Sequence, residues 1–188
     1  MRKDFGPQTW LVPMPVLIIG TFDKEGKPNA MTAVWGAIHD RCQIIISLGE
    51  RATSRNIRLK NCFTVSVATK KTMVVSDFVG LVSHDKDPLK MEKSGLHYKK
   101  AKNIDAPIFN EYPLTLECRV ISFDKGGDGK HDYLIGEIVN VSADEEILTN
   151  GIIDLKKLQP IAYDSIHLRY YSLTDSVGTA FMEGLKLH

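Results

Sequence analysis

The stretch from Val16 to Trp35, V-L-I-I-G-T-F-D-K-E-G-K-P-N-A-M-T-A-V-W, constrains this chain more than any other. It pairs an apolar strand with a second strand of small and hydroxyl-bearing residues. The two meet over D-K-E-G-K-P, whose Asp, Gly and Pro mark a hairpin connection. The second strand has little bulk at Ala30 and Ala33, yet carries an amide at Asn29 and a hydroxyl at Thr32. Such a strand lets a flat ligand lie close to the backbone while side-chain donors hold it.

The rest of the chain reads as more of the same class. Val16–Thr21, Asn29–Val34, Gln43–Leu48 and Phe63–Ala68 are short and rich in Val, Ile, Thr and Ser. Leu114–Ser122 alternates apolar and polar residues, and Tyr133–Val141 is another strand. The loop F-D-K-G-G-D-G-K-H-D joins these two into a long hairpin. Helices are short. Asp87-Pro88 starts one that Gly95 stops, and Thr53 to Asn61 is a second. Ser76-Asp77 starts a third, and Asp154 to Gln159 is a fourth, stopped by Pro160. Strands at hairpin spacing with helices as connections predict a mainly β protein, an antiparallel barrel rather than a parallel sheet. The length of 188 residues fits one domain, 1–188.

Charge and cysteine usage narrow the function classes. With 24 basic and 23 acidic residues the formal net charge is +1, which offers no electrostatic pull on nucleic acid or an anionic membrane. The Lys70-Lys71 and Lys99-Lys100-Lys102 clusters read as solvated faces. Cys42, Cys62 and Cys118 are widely spaced among apolar neighbours, so all three are expected to be buried and reduced. The N-terminus lacks the apolar run of a signal peptide, and no stretch approaches the ~18 apolar residues of a membrane span. A cytoplasmic protein that binds neither nucleic acid nor membrane is the expectation.

Several motifs fail on inspection. From Gly20 the chain imitates a phosphate-binding P-loop, but five residues separate the glycines instead of four, and Pro28 stands where Ser or Thr would hold magnesium. The loop from Asp124 resembles part of a calcium loop, but it lacks the acidic third ligand and has Ile135 in place of the final Glu. Neither G-x-G-x-x-G nor G-x-S-x-G occurs, and no pair of histidines has metal-ligand spacing. No metal site is expected.

What survives is a set of donors at strand ends: Asn29–Trp35, Ile46–Ser54 and Val82–Lys90. In the second segment Ser47 ends a strand, Gly49 allows a turn, and Arg51 and Thr53 precede a helix. Free N–H groups at a helix N-terminus, beside an Arg and hydroxyls, suit a phosphate dianion. Lys90 would add a point charge to it. Blander readings stand beside these: Thr53 as a plain N-cap, Asn29 as a turn residue, and Trp35 as core.

The order P-x-P-V-L-I-I-G-T, G-K-P-N-A-M-T-A-V-W, S-L-G-E-R-A-T-S-R-N-I, F-T-V-S-V-A resembles the flavin-reductase-like, FMN-binding split barrel, close to the flavoredoxin group. The match continues through D-F-V-G-L-V-S, K-M-E-K-S-G-L, D-A-P-I, P-L-T-L-E-C, Y-L-I-G-E-I and R-Y-Y-S-L, nearly the whole chain. The resemblance implies a six-stranded Greek-key barrel, a homodimer, and FMN near the subunit interface. It also implies that Asn29, Ala30, Met31, Thr32, Ala33, Val34 and Trp35 line the isoalloxazine and ribityl chain. Ser47, Leu48 and Gly49 would run along the cofactor, with Leu48 at a ring edge and Met31, Val34 and Leu48 as an apolar wall. Arg51, Thr53, Ser83 and Lys90 would hold the phosphate. His131, in G-K-H-D-Y, matches a position near the flavin and is the candidate catalytic residue, as a donor or proton source. His84 departs from the family, which often has Gly after the Ser.

The implied activity is an oxidoreductase that passes electrons from NAD(P)H or a protein donor through FMN to a redox protein or small-molecule acceptor. Alternatives are a flavin-binding electron carrier without turnover, or an interaction module that has lost its cofactor. Flavin chemistry needs no triad from the protein, only binding, orientation and electrostatics.

Overall fold

After a short β1 (Met14–Pro15), the run V-L-I-I forms β2 (Leu17–Phe22), every residue of which is buried. Leu17 and Ile19 join one apolar cluster with Ile46, Phe63 and Leu134. Val16 and Ile18 join another with Val79, Phe109 and Ile161. A strand covered on both faces has no solvent side, and this is why the run is apolar at every position. The structure, a computed structural model, describes residues 1–127 and 129–187. Asp128, in the middle of the expected hairpin loop, and His188, the last residue, lie outside the described residues.

The chain continues through β3 (Pro28–Ala33), β4 (Gly36–Asp40), β5 (Gln43–Gly49), α1 (Ala52–Lys60) and β6 (Cys62–Val67). Then come α2 (Met73–Leu81), α3 (Lys90–Ser94), β7 (Tyr98–Lys100) and β8 (Pro107–Phe109). The long hairpin is β9 (Leu114–Lys125) and β10 (His131–Ala143). Last are β11 (Leu148–Thr149), β12 (Ile152–Ile153), α4 (Leu155–Leu158), β13 (Ile161–Asp164) and β14 (Arg169–Ser172).

The main sheet has the order β3-β2-β6-β9-β10-β5-β4, with every neighbouring pair antiparallel. Its two edges, β3 and β4, are separated in the chain only by Val34 and Trp35. They are one bent strand: its first half pairs with β2 and its second with β5, and Ser47 N–H donates to Trp35 O at 2.8 Å across the bend. The sheet therefore closes into the six-stranded barrel that the resemblance implies. Gly36 permits the bend, because a Cβ there would lie 2.8 Å from Leu17 Cδ1 and 3.3 Å from Ile45 O. The step from β5 to β6 passes from beside β10 to beside β2, the Greek-key crossing. Helix α1 makes that crossing and sends Ile57 into the barrel core.

Outside the barrel, α2 lies against β3. At Gly80 an added Cβ would meet Thr32 Cβ at 3.0 Å, so a larger residue would push the helix away. The Thr32 hydroxyl donates to Ser76 O, and Tyr170 O–H donates to Asp77 at 2.8 Å. Among the described residues no helix is long and apolar enough to cross a membrane.

Four expectations need correction. Helix α3 starts at Lys90 with Leu89 as its N-cap, not at Asp87-Pro88, because Asp87 closes a separate turn by accepting the Leu89 N–H at 3.1 Å. Helix α2 starts at Met73, not at Ser76-Asp77, because Thr69 and Thr72 build the preceding turn through Thr69 N–H to Thr72 Oγ1 at 2.9 Å. Helix α1 is preceded by Arg51 as N-cap, so Thr53 is inside it. Cys42 is exposed, since it occupies the tight β4–β5 turn with φ +57; Cys62 and Cys118 are buried as expected. The helix stops were legible: Asn61, Gly95 and Gln159 all sit at C-caps in the left-handed region, which Gly and Asn adopt with least strain.

Gly136 lies at an irregularity in the β9–β10 register, where a Cβ would fall 2.6 Å from Cζ of fully buried Phe63. Gly136→Ala should destabilise the barrel by about 1–3 kcal/mol, the usual cost of overpacking. Urea unfolding measures it, and a wild-type midpoint would contradict this packing.

Candidate functional site

Strand β3 carries the site because its two faces meet different helices. Asn29 is 3% exposed and donates from Nδ2 to Thr53 Oγ1 at 2.8 Å, tying β3 to the first turn of α1. Asn29 is thus neither a turn residue nor a surface donor, and Thr53 is a partner for it rather than a cap. The Asn29 Oδ1 is buried without a partner. The Arg51 N–H donates to Ser54 Oγ at 2.8 Å, but α1 has no N-cap side chain bonded to its first turn. Its free N–H groups therefore remain available to an anion.

These groups border a cavity of about 80 Å³. A water requires roughly 10–15 Å³ of such space, so the cavity has room for a tetrahedral phosphate and none for a flavin ring. The walls bring together Asn29, Met31, Arg51, Thr53, Ser83 and Lys90, with His84 beside them. All four expected phosphate ligands converge here from two separate segments of the chain, Ile46–Ser54 and Val82–Lys90.

Lys90 dominates the electrostatics. It is 2% exposed, and its Nζ donates to Ala30 O at 2.7 Å. Burial, with a smaller contribution from the Arg51 charge, pushes its pKa down to about 8. Among the described residues no carboxylate forms an ion pair with Lys90 or Arg51. Nearby carboxylates are committed elsewhere: Asp85 to Arg55, Asp87 to Lys93 at 2.6 Å, and Glu50 to Arg58 at 2.9 Å. Two cations facing one small cavity, one of them deprived of water, make a site that an anion would stabilise.

The other end of β3 opens on a second cavity. It has a volume of about 720 Å³ and is walled by Val34, Trp35, Ser47, Tyr133 and the N-terminal residues Trp10 and Leu11. Trp35 is 48% exposed, so it is wall rather than core. His131 is the first residue of β10, opposite Gly49 in register, and its ring centroid lies 5.9 Å from that of Trp35. The next residue, Asp132, is bonded to Arg58 of α1.

The remaining expected residues are placed differently. Ala30, Ala33 and Leu48 are buried in the apolar clusters, so they have backbone rather than side chains to offer a ligand. Leu48 points into the barrel because alternation along β5 turns Ser47 and Gly49 the other way. The Thr32 hydroxyl is engaged by α2. Met31 lines the small cavity, not the large one. Sequence reasoning missed the Trp10–Leu11 wall and Tyr133. The apolar W-L-V at positions 10–12 was the available signal.

Lys90 also yields a stability prediction. Its folded pKa lies below the ~10.4 of an unfolded lysine, so between those values the unfolded chain binds more protons and stability rises with pH. With no anion bound, the protein should gain on the order of 3 kcal/mol from this group between pH 8 and 10.5. Lys90→Met should lack that rise. Parallel urea titrations across this range test it, and superimposable profiles would mean that Lys90 is not held in a dry site.

Comparison with known proteins agrees with this fold. Flavoredoxin of Desulfovibrio vulgaris (Miyazaki F) superimposes with a TM-score of 0.89 at 29% identity, covering 98% of this chain and 100% of that one. Flavoredoxin from Methanosarcina acetivorans gives 0.89 at 25% identity, with both chains covered in full. An uncharacterised protein of Aeropyrum pernix is 24% identical over 153 residues, 79% of this chain and 57% of that protein, so the chain spans little more than half of that relative's length. The model of the flavin reductase like domain matches residues 10–171, and the chain belongs to that family, with its flavin-reductase-like, FMN-binding split-barrel fold.

Proposed function

We propose that this protein is an FMN-dependent oxidoreductase of the flavoredoxin or flavin reductase type. It takes reducing equivalents from NAD(P)H or a protein donor and passes them to an acceptor, working as a homodimer. The observation that carries this reading is Lys90: a buried ammonium that no carboxylate among the described residues pairs with, beside Arg51 and the free N–H groups at the start of α1, at a cavity the size of a phosphate.

The residues fit FMN at both ends. Arg51, Lys90, Ser83 and the N–H groups of α1 present donors to a phosphate. The orphaned Asn29 Oδ1 is an acceptor and suits a ribityl hydroxyl. From Asn29 to Trp35 the bent strand runs six residues, roughly 20 Å at ~3.3 Å each, which joins the small cavity to the large one. There Val34 and Trp35 would shield the ring from water, with Ser47 as a hydroxyl at its edge. When bound, FMN supplies the hydride and electron chemistry. His131, beside Trp35, is the candidate proton donor on this side. Pairing of two copies would cover the exposed Trp35 and Tyr133.

Purified protein mixed with FMN and then desalted should keep visible flavin absorption, and NAD(P)H should bleach it if the nicotinamide is the donor. Retention without bleaching points to a protein donor or a carrier. Colourless protein that takes up no FMN sinks the reading. Lys90→Met should weaken FMN binding at least about thirtyfold, since removing one partner of a buried charge pair costs ~2 kcal/mol or more. Anion binding requires the charged lysine, so wild-type affinity should hold below pH 8 and fall by up to about tenfold per unit above it. That fall should be absent in Lys90→Met.

A further inference from the structure

Among the described residues two buried side-chain atoms lack a partner, Asn29 Oδ1 and His84 Nδ1, and both residues line the small cavity beside Lys90. An unpaired polar atom out of water is costly, so each marks a place where a ligand or solvent group belongs. Asn29 Oδ1 accepts only, and the preceding reading gives it a hydroxyl. His84 has no role there.

The local backbone holds His84 at the cavity. It follows Ser83 in the loop between α2 and α3, and the turn is closed by Lys86 N–H to Ser83 O at 3.1 Å and Asp87 N–H to Ser83 O at 2.9 Å. The residue also borders a neighbouring cleft of about 410 Å³ together with Asn29 and Ala52, so it forms the wall between that cleft and the small cavity. The other polar groups facing the small cavity, Arg51, Lys90, Ser83 and the start of α1, can all donate. A group rich in acceptors suits such a surface, and an imidazole N–H on the His84 wall is one more donor beside it.

We propose that His84 is a direct ligand of the FMN phosphate through Nδ1–H, and that it strengthens this chain's preference for FMN over riboflavin, which lacks the phosphate. The inference rests on the phosphate site of the proposed function. It concerns binding alone and leaves electron transfer to the cofactor.

The test is the ratio of FMN to riboflavin affinity, measured by quenching of flavin fluorescence on the full chain. His84→Ala should lower that ratio about tenfold by weakening FMN, with riboflavin unchanged. His84→Asn places an amide N–H near the Nδ1 position and should restore most of the loss. His84→Gly serves as the second donor-free variant should His84→Ala fail to fold. In wild-type protein with 15N-labelled histidine, the His84 Nδ1 resonance should shift on adding FMN and stay in place with riboflavin. A wild-type chain that strongly prefers FMN, with the same preference in both donor-free variants and no Nδ1 shift, overturns the role of His84 alone. A wild-type chain that binds the two flavins equally overturns the phosphate site itself, and this inference with it.

Discussion

The closing of the barrel by one bent strand is the constraint from which the rest follows. Val34 and Trp35 stand at the bend, and the hydrogen bond from Ser47 to Trp35 O joins β3–β4 to β5 there. Because Gly36 has no side chain, the second half of the strand can pass close to Leu17 and Ile45. Closure forces α1 to cross the barrel between β5 and β6, and the start of α1 thereby arrives beside Asn29. The same bend turns Trp35 outward, away from the core and toward Tyr133. Both cavities are therefore consequences of how one sheet finds its own edge.

Electrostatics then gives the two cavities different chemistry. At the small one, packing of α2 and α3 on β3 removes Lys90 from water without supplying a counter-ion. A surface lysine would be nearly indifferent to its surroundings, whereas a buried one is destabilised as a cation until an anion joins it. Nearby carboxylates do not relieve this, because Asp85, Asp87 and Glu50 are each tied to another cation. At the large cavity the walls are aromatic and aliphatic, and Trp35 and Tyr133 expose wide apolar faces. A molecule with a charged tail and a flat apolar body satisfies both.

Much of this was legible in the residues. The unbroken apolar run before Gly20 meant a strand covered on both faces, and the small residues of N-A-M-T-A meant close approach to a backbone. Asn61, Gly95 and Gln159 ended helices where left-handed backbone was needed. Arg51, Thr53 and Lys90 stood out because their residue types suit a phosphate, Ser83 came with the family resemblance, and the four line one cavity. Less legible was the use to which each polar atom is put. The Thr32 hydroxyl reads as a ligand donor, yet α2 claims it. Leu48 reads as a contact for a ring, yet strand alternation buries it. Cys42 reads as core, yet a two-strand turn exposes it.

The chain by itself determined the class of fold, since apolar periodicity and turn residues act over a few neighbours and are written locally. It also determined the stock of donors and cations near the strand ends. Tertiary structure alone decided which of them share a cavity. Asn29 and Thr53 are 24 residues apart, and Lys90 lies 60 residues beyond the carbonyl it bonds. Only barrel closure and the docking of α2 bring them together. Burial was likewise decided there, and burial turns Lys90 from an ordinary surface charge into a group that needs an anion. Desolvation depends on what surrounds an atom in space, and no spacing along the chain records it.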